Sequence, residues 1–393
     1  MQPEIRNELA PMQYRRFGRT DRHLSVITLG GMRYARGWER PRGELPQETI
    51  DNCRACVEAA LGCGINHIET AWGYVKSEHV YGRVLNQELA IPRSRYHLMT
   101  KAAPKTSDET RQAVERQLAA LQTDHIDLYA WHGLNDRACF DLALAKGGPV
   151  DTLLALRDEG VIGAVGFSTH APLEVIIDAI ETDRFDFVNL HYYYFNQRTR
   201  AAVERAASRD MGVFIISPND KGGRLYDPPP LLRELTAPLT PIQWNARFCL
   251  SHPAVTTLSF GMTAADHFEE MLGTFPVSTP LTSEDMRVKE HMDARLGVDA
   301  HSDFEGWELA DDPSGINIPE VLRLRRMWKC YDMTGFGRFR YNMFGTQGHW
   351  YPGRVCDDAA LAELDVSRLP TTPDVRALLR ETHEALFVSK EKT

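Results

Sequence analysis

The sequence predicts an α/β fold, a closed (β/α)8 TIM barrel followed by a mainly helical C-terminal region. Three observations carry that expectation. Eight short apolar runs rich in Val, Ile and Tyr recur between about residues 26 and 274, separated by stretches of helical spacing. The runs are nearly continuous in apolar character, as strands of a parallel sheet buried on both faces are. Eight such units in ~250 residues match the length of a closed barrel. An open doubly wound sheet would carry Gly-x-Gly-x-x-Gly after its first strand. Here Gly30-Gly31-Met32-Arg33 stands in that place.

Taken in order, PMQYRRFGRTDRHL (11–24) reads as a small hairpin covering the bottom of the barrel. The strands are VITLGG (26–31), INHIETA (65–71), YHLMTKA (96–102), HIDLYAWH (125–132), AVGFSTH (164–170), FVNLHYY (187–193), GVFIISP (212–218) and VTTLSFG (255–261). Helical spacing occupies 48–64, 108–122, 172–181, 198–210 and 241–253. In the second of these, Ala113, Leu118 and Leu121 fall on a different face from Glu109 and Arg116. The alternation stops near residue 275, which places a barrel domain at 1–274 and a helical extension at 275–393.

Bulk properties exclude several classes of function. Lys and Arg number 45 against 54 Asp and Glu, a net charge of −9, with no basic block. That argues against nucleic acid or an anionic membrane as a partner. No apolar run approaches the ~20 residues that span a bilayer, and the N-terminus lacks the apolar stretch of a signal peptide. The seven cysteines are odd in number and scattered, which reads as reduced thiols in a cytoplasmic protein.

In such a barrel the reactive groups sit at the C-terminal ends of the strands. The polar residues there are Glu69 and Tyr74 after the second strand, Lys101 ending the third and His132 ending the fourth. Their chemistry is complementary. A phenol, ordinarily near pKa ~10, becomes a better proton donor beside an ammonium. A carboxylate compensates the buried lysine, and an imidazole can hydrogen-bond the substrate oxygen. Together they suit protonation of a carbonyl oxygen while hydride arrives at carbon.

INHIETAWGYVKSE, LMTKA and LYAWHG resemble the motifs of the aldo-keto reductase family, in order and with suitable spacing, from Tyr14 to about Leu272. The resemblance implies nicotinamide-dependent interconversion of a small-molecule carbonyl and an alcohol. It makes Tyr74 the acid/base, Lys101 and Glu69 the groups that tune it, and His132 the group that orients substrate. Glu69 stands where the family usually has Asp, so the contact to Lys101 has to be re-spaced. A cofactor-bound regulatory protein on the same fold, or an epimerase or dehydratase using nicotinamide transiently, are the alternatives.

The same resemblance assigns the dinucleotide to the second half of the barrel. Ser168, Thr169 and Asn189 suit the nicotinamide carboxamide, with its one acceptor and two donors. Ser217, Gly222, Gly223 and Arg224 in SPNDKGGRL suit the pyrophosphate. Gly261, Met262, Thr263 and Glu270 fall in the phosphate and adenine loop. Lys221 and Arg224 are the bases available to a 2′-phosphate, which favours NADP(H), with NAD(H) as the alternative. Trp72, Trp131, His191 and Tyr192 form the expected aromatic wall for substrate.

The tail SGINIPEVLRLRRMWKCYD resembles the C-terminal extension of a subgroup of the family that carries a ferredoxin-type Cys-x2-Cys-x2-Cys-x3-Cys-Pro run. That register falls here on Ser302, Glu305, Glu308 and Asp312, followed by Pro313, and none of the four is Cys. No iron–sulfur cluster is therefore expected. Cys53, Cys56 and Cys63 share the first barrel helix, where buried thiols are common, so no metal is expected there either.

Overall fold

A computed structural model describes residues 5–302, 312–368 and 374–389. A two-stranded antiparallel hairpin, β1 (Tyr14–Arg16) and β2 (His23–Ser25), precedes the barrel. Eight parallel strands then close on themselves. They are β3 (Ile27–Gly30), β4 (His67–Glu69), β5 (His97–Ala102), β6 (Leu128–His132), β7 (Val165–Ser168), β8 (Phe187–Leu190), β9 (Gly212–Ile215) and β10 (Thr257–Ser259), with β10 pairing both β9 and β3. Each lies within one of the apolar runs read from the sequence.

The period-two alternation of a strand divides the side chains into two cores. Met99, Leu128, Ala130, Phe187 and Phe214 point inward, and Phe17 of the hairpin turn plugs the bottom against the Phe187 ring, 5.4 Å away. Gly166 and Gly212 make room for these rings, since a Cβ at either would sit within 2.6 Å of the Phe187 or Phe17 ring. The outward residues pack against the surrounding helices.

Those helices are α1 (Gln47–Gly62), α2 (Ser77–Arg83), α3 (Ser107–Leu121), α4 (Arg137–Ala143), α5 (Pro149–Asp158), α6 (Leu173–Glu181), α7 (Arg200–Ser208), α8 (Pro230–Thr236), α9 (Pro241–Leu250) and α10 (His267–Leu272). Local chemistry sets their ends. Thr106 caps α3 through the Glu109 N–H, and Thr240 with Gln243 forms a capping box on α9, with Pro241 at its first position. The five stretches of helical spacing leave out α2, α4, α5, α8 and α10, which are short or have only a weak apolar stripe.

The extension comprises α11 (Ser283–Ala294), α12 (Ile318–Tyr331), α13 (Thr334–Tyr341), α14 (Asp358–Glu363) and α15 (Val375–Leu386). It is fastened to the barrel by a buried polar network. Glu320 pairs with Arg323 of its own helix and with Arg198 of the loop after β8, each at 2.7 Å, and accepts the Tyr351 hydroxyl at 3.2 Å. Burial alone would raise the Glu320 carboxyl, but the guanidiniums of Arg323 and Arg198 outweigh it and hold the group far below the usual carboxylate range. A carboxyl depressed in the folded state contributes stability above its unfolded value, ~4.3, and that contribution is lost as pH falls below it. Glu320→Gln is expected to destabilise the chain by about 3–5 kcal/mol at neutral pH, because it leaves buried guanidiniums uncompensated. Chemical denaturation of the two forms at neutral and acidic pH would measure this, the difference shrinking toward the acid.

Candidate active site

At the C-terminal rim the inward positions change from apolar to polar. Glu69 ends β4, Lys101 lies in β5, His132 ends β6, Ser168 ends β7, and Asn189 lies in β8. Register sets them side by side, with His132 opposite Ser168 and Ser168 opposite Asn189. Lys101 and Glu69 form an ion pair with both side chains almost wholly buried. The ammonium also donates to the Thr70 carbonyl at 2.9 Å and lies 4.7 Å from the centroid of the Tyr74 ring. The Tyr74 hydroxyl donates to Glu69 Oε1 at 3.5 Å, and the His132 ring meets the Tyr74 ring edge-on at 6.1 Å. The longer Glu69 thus reaches both lysine and tyrosine. The structure brings all four sequence-predicted residues together.

Tyr74 ends a 3₁₀ turn (Trp72–Tyr74) that leads directly to α2. The next residue, Val75, has φ 51°, a left-handed conformation that costs a β-branched residue ~1–3 kcal/mol. The turn is held from outside. Arg42 donates to the carbonyls of Trp72 and Val75, and the Lys76 ammonium donates to the carbonyls of Pro41 and Glu44. The loop after β3 therefore acts as a brace for the tyrosine.

Burial pushes the Tyr74 phenol well above its ordinary value, and the guanidinium of Arg33 only partly offsets this. In this arrangement the Lys101 ammonium is engaged by Glu69 and Thr70 and lies over the Tyr74 ring face. Burial also pushes Lys101 down, and His132 down to about 3. The site thus presents a neutral phenol that holds its proton and a neutral imidazole.

A cavity of about 1150 Å³ runs from Glu69 and Tyr74 past Ser217, Asn219 and Ser259 to Gly261, Met262, Thr263, His267 and Glu270. Among the predicted cofactor residues, Ser217, Gly261, Met262, Thr263 and Glu270 line it. Asn189 is fully buried on an inward position, and its Oδ1 has no hydrogen-bond partner among the described residues. Ser168 Oγ accepts the Gly133 N–H at 3.1 Å.

Four predicted residues face elsewhere. Thr169 follows Ser168 and turns outward, donating to the Leu134 carbonyl at 2.6 Å and accepting the Ala171 N–H at 2.9 Å. Gly222 folds so tightly that a Cβ would strike the Pro218 carbonyl, and one on Gly223 would strike Met333 and approach Met327 of the extension. Arg224 stacks on Phe339 at 3.5 Å. Gly223 thus makes room for the extension. Asn219, which lines the cavity with its Oδ1 also unpartnered, escaped the sequence reading, although it sits in the same SPNDKGGRL segment.

The aromatic wall is also redrawn. Trp131 lies between the inward-facing Ala130 and His132, so it points out of the barrel, buried, with its indole N–H on the Pro104 carbonyl at 3.2 Å. Tyr192 stacks on Phe248 of α9 at 5.7 Å. Neither reaches the mouth. Trp72 is packed between the guanidiniums of Arg42 and Arg116, at 4.2 and 5.7 Å. His191 bonds His170 at 2.8 Å, and His170 in turn contacts Lys221 at 3.2 Å and Trp350 of the extension at 5.8 Å. Trp38 was not foreseen. It lines the cavity half-exposed, 6.3 Å from the Tyr74 ring.

Residues 26–226 match the model of the aldo/keto reductase family. The chain belongs to that family. This aldo/keto reductase is 25% identical over 228 residues to the uncharacterized oxidoreductase YqkF of Bacillus subtilis, covering 54% of this chain and 66% of that protein. It is 29% identical over 134 residues to methylglyoxal reductase DkgA of Yersinia pestis, 34% of this chain and 46% of that one. The chain spans roughly half to two thirds of the length of the curated relatives it matches. Its fold resembles that of aldo-keto reductase AKR11C1 from Bacillus halodurans in the holo form, with a TM-score of 0.59, 22% identity, and coverage of 71% of this chain and 96% of that one. Among the described residues, no helix is long and apolar enough to cross a membrane. Glu305 and Glu308 of the cysteine-less register lie outside the described residues, while Asp312 accepts the Ser314 N–H at 2.8 Å.

Proposed function

We propose that this chain interconverts a small-molecule carbonyl and an alcohol with a nicotinamide dinucleotide, Tyr74 serving as the proton donor in reduction. The observation that carries the reading is the Tyr74 hydroxyl on Glu69, above a buried Lys101–Glu69 pair, at the edge of a cavity of about 1150 Å³, above the ~300–1,000 Å³ usual for ligand clefts. The unpartnered Oδ1 of Asn189 fits the amide of a nicotinamide carboxamide, and the Ser168 hydroxyl keeps its proton to donate. A bound nicotinamide would supply or take up the hydride. Tyr74 then passes its proton to the carbonyl oxygen, the neutral His132 hydrogen-bonds that oxygen, and the phenolate is stabilised by Lys101 as the pair with Glu69 rearranges.

The choice of dinucleotide follows from what faces the far end of the cavity. Lys221 and Arg224, the bases on which the NADP(H) expectation rested, are turned to His170 and Phe339. The cavity presents Asp266 and Glu270 beside Arg233 and His267. Two carboxylates disfavour an added phosphate dianion, which supports NAD(H) over NADP(H). A panel of aldehydes, ketones and alcohols assayed with both dinucleotides tests the proposal. Turnover with NADH at a higher kcat/KM than with NADPH is expected. Absence of hydride transfer to any member would sink the redox reading, and an NADPH preference would sink the second.

Because His132 is already neutral near pH 7, the reduction rate is expected to carry no limb from it in the neutral range. A limb near the ordinary imidazole value of ~6.5 that vanished in His132→Gln would contradict this.

A further inference from the structure

The loop after β6 and the extension meet at a point that the redox chemistry does not use. Asp136 caps α4 by accepting the Cys139 N–H at 2.7 Å, and His349 comes to the same place from 210 residues beyond Cys139. A carboxylate oxygen, Cys139 Sγ and a His349 ring nitrogen all lie within 4.8 Å of one another. Among the described residues no other trio of His, Cys, Asp or Glu side chains comes so close. Asp136 and Cys139 are half-buried and His349 is exposed, so an ion in solution can reach them.

The distances suit a tetrahedral ion. A thiolate at ~2.3 Å and an imidazole at ~2.0–2.1 Å from Zn²⁺ place sulfur and nitrogen ~3.6 Å apart. Cys139 Sγ and His349 Nδ1 are 3.8 Å apart. The tautomer also suits. Asn135 Oδ1 accepts the His170 N–H at 2.8 Å, which turns the amide nitrogen toward His349 Nδ1, 3.1 Å away. Nδ1 therefore carries a lone pair, the form that a metal needs. An ion would displace the hydrogen bonds that Asn135 and the Cys139 thiol make to this nitrogen.

We propose that Asp136, Cys139 and His349 form a three-ligand site for a borderline-soft divalent cation of the Zn²⁺ class, leaving its fourth position to water. Binding releases the Cys139 proton to solvent and joins the thiolate to the ion. Its consequence is mechanical. Trp350 follows His349 and covers His170 and Lys221, at 5.8 and 5.2 Å. A metal on His349 fastens that segment over the barrel rim.

The test is a titration of the full chain, stripped with a chelator, with Co²⁺ as a spectroscopic probe. One equivalent with a thiolate-to-cobalt charge-transfer band is expected. Cys139→Ser and His349→Ala should each weaken binding at least about 100-fold, beyond the 10–100-fold typical of outer-shell losses. Asp136→Asn, which keeps the helix cap, should weaken it by about 10-fold. Cys63→Ser, removing another half-buried thiol, should leave it unchanged. Zn²⁺ should also slow proteolysis of the extension in the native chain but not in His349→Ala. Failure to bind Co²⁺ with a thiolate band, or binding indifferent to His349→Ala, overturns the proposal. Should Cys139→Ser fold poorly, the exposed His349 variant decides alone.

Discussion

Tyr74→Phe is expected to lower the rate of carbonyl reduction by ~10²–10⁴-fold while leaving dinucleotide affinity nearly unchanged. The ring contacts survive this change: the Lys101 ammonium still lies over the ring face and His132 still meets its edge. What goes is the hydroxyl proton offered to the cavity, while Lys101 is occupied by Glu69 and Thr70 and His132 is neutral. The substrate oxygen must then take its proton from water. Single-turnover kinetics with saturating dinucleotide, together with a fluorescence titration of the dinucleotide, separates the two quantities. Equal rates in both forms would end the assignment of Tyr74.

Lys101→Ala should affect both stability and activity. Removing the ammonium strands the Glu69 carboxylate, which is 3% exposed, and costs about 3–5 kcal/mol in denaturant unfolding. The companion variant Lys101→Met with Glu69→Leu removes both charges and replaces them with apolar bulk. It should regain most of that stability, because a buried ion pair seldom outperforms a packed apolar pair. It should not regain activity, because nothing then stabilises a tyrosinate. Recovery of turnover in the double variant would show that the pair is a structural element and no more.

The barrel was legible because its strands are buried on both faces and therefore differ in composition from everything around them. The quartet was legible for a related reason, since a polar residue ending such a strand has no place in the packed interior. Parity was the missing step for the substrate wall. His132 and Trp131 are neighbours in sequence, but one faces the mouth and the other the helices, and Thr169 is lost to Ser168 in the same way. Glycine marks any close approach of backbone, and at Gly223 the approaching group is a methionine from far along the chain. Trp38 lies in a loop and Trp350 in a single 3₁₀ turn, whose placement depends on contacts that no local pattern encodes.

Gly223 has a thermodynamic consequence. Met327 and Met333 press on the segment that begins at Ser217, a lining residue of the cavity. If occupancy of the cavity alters that segment, the helices of the extension must feel it, and whatever loosens the helices must weaken occupancy by the same factor.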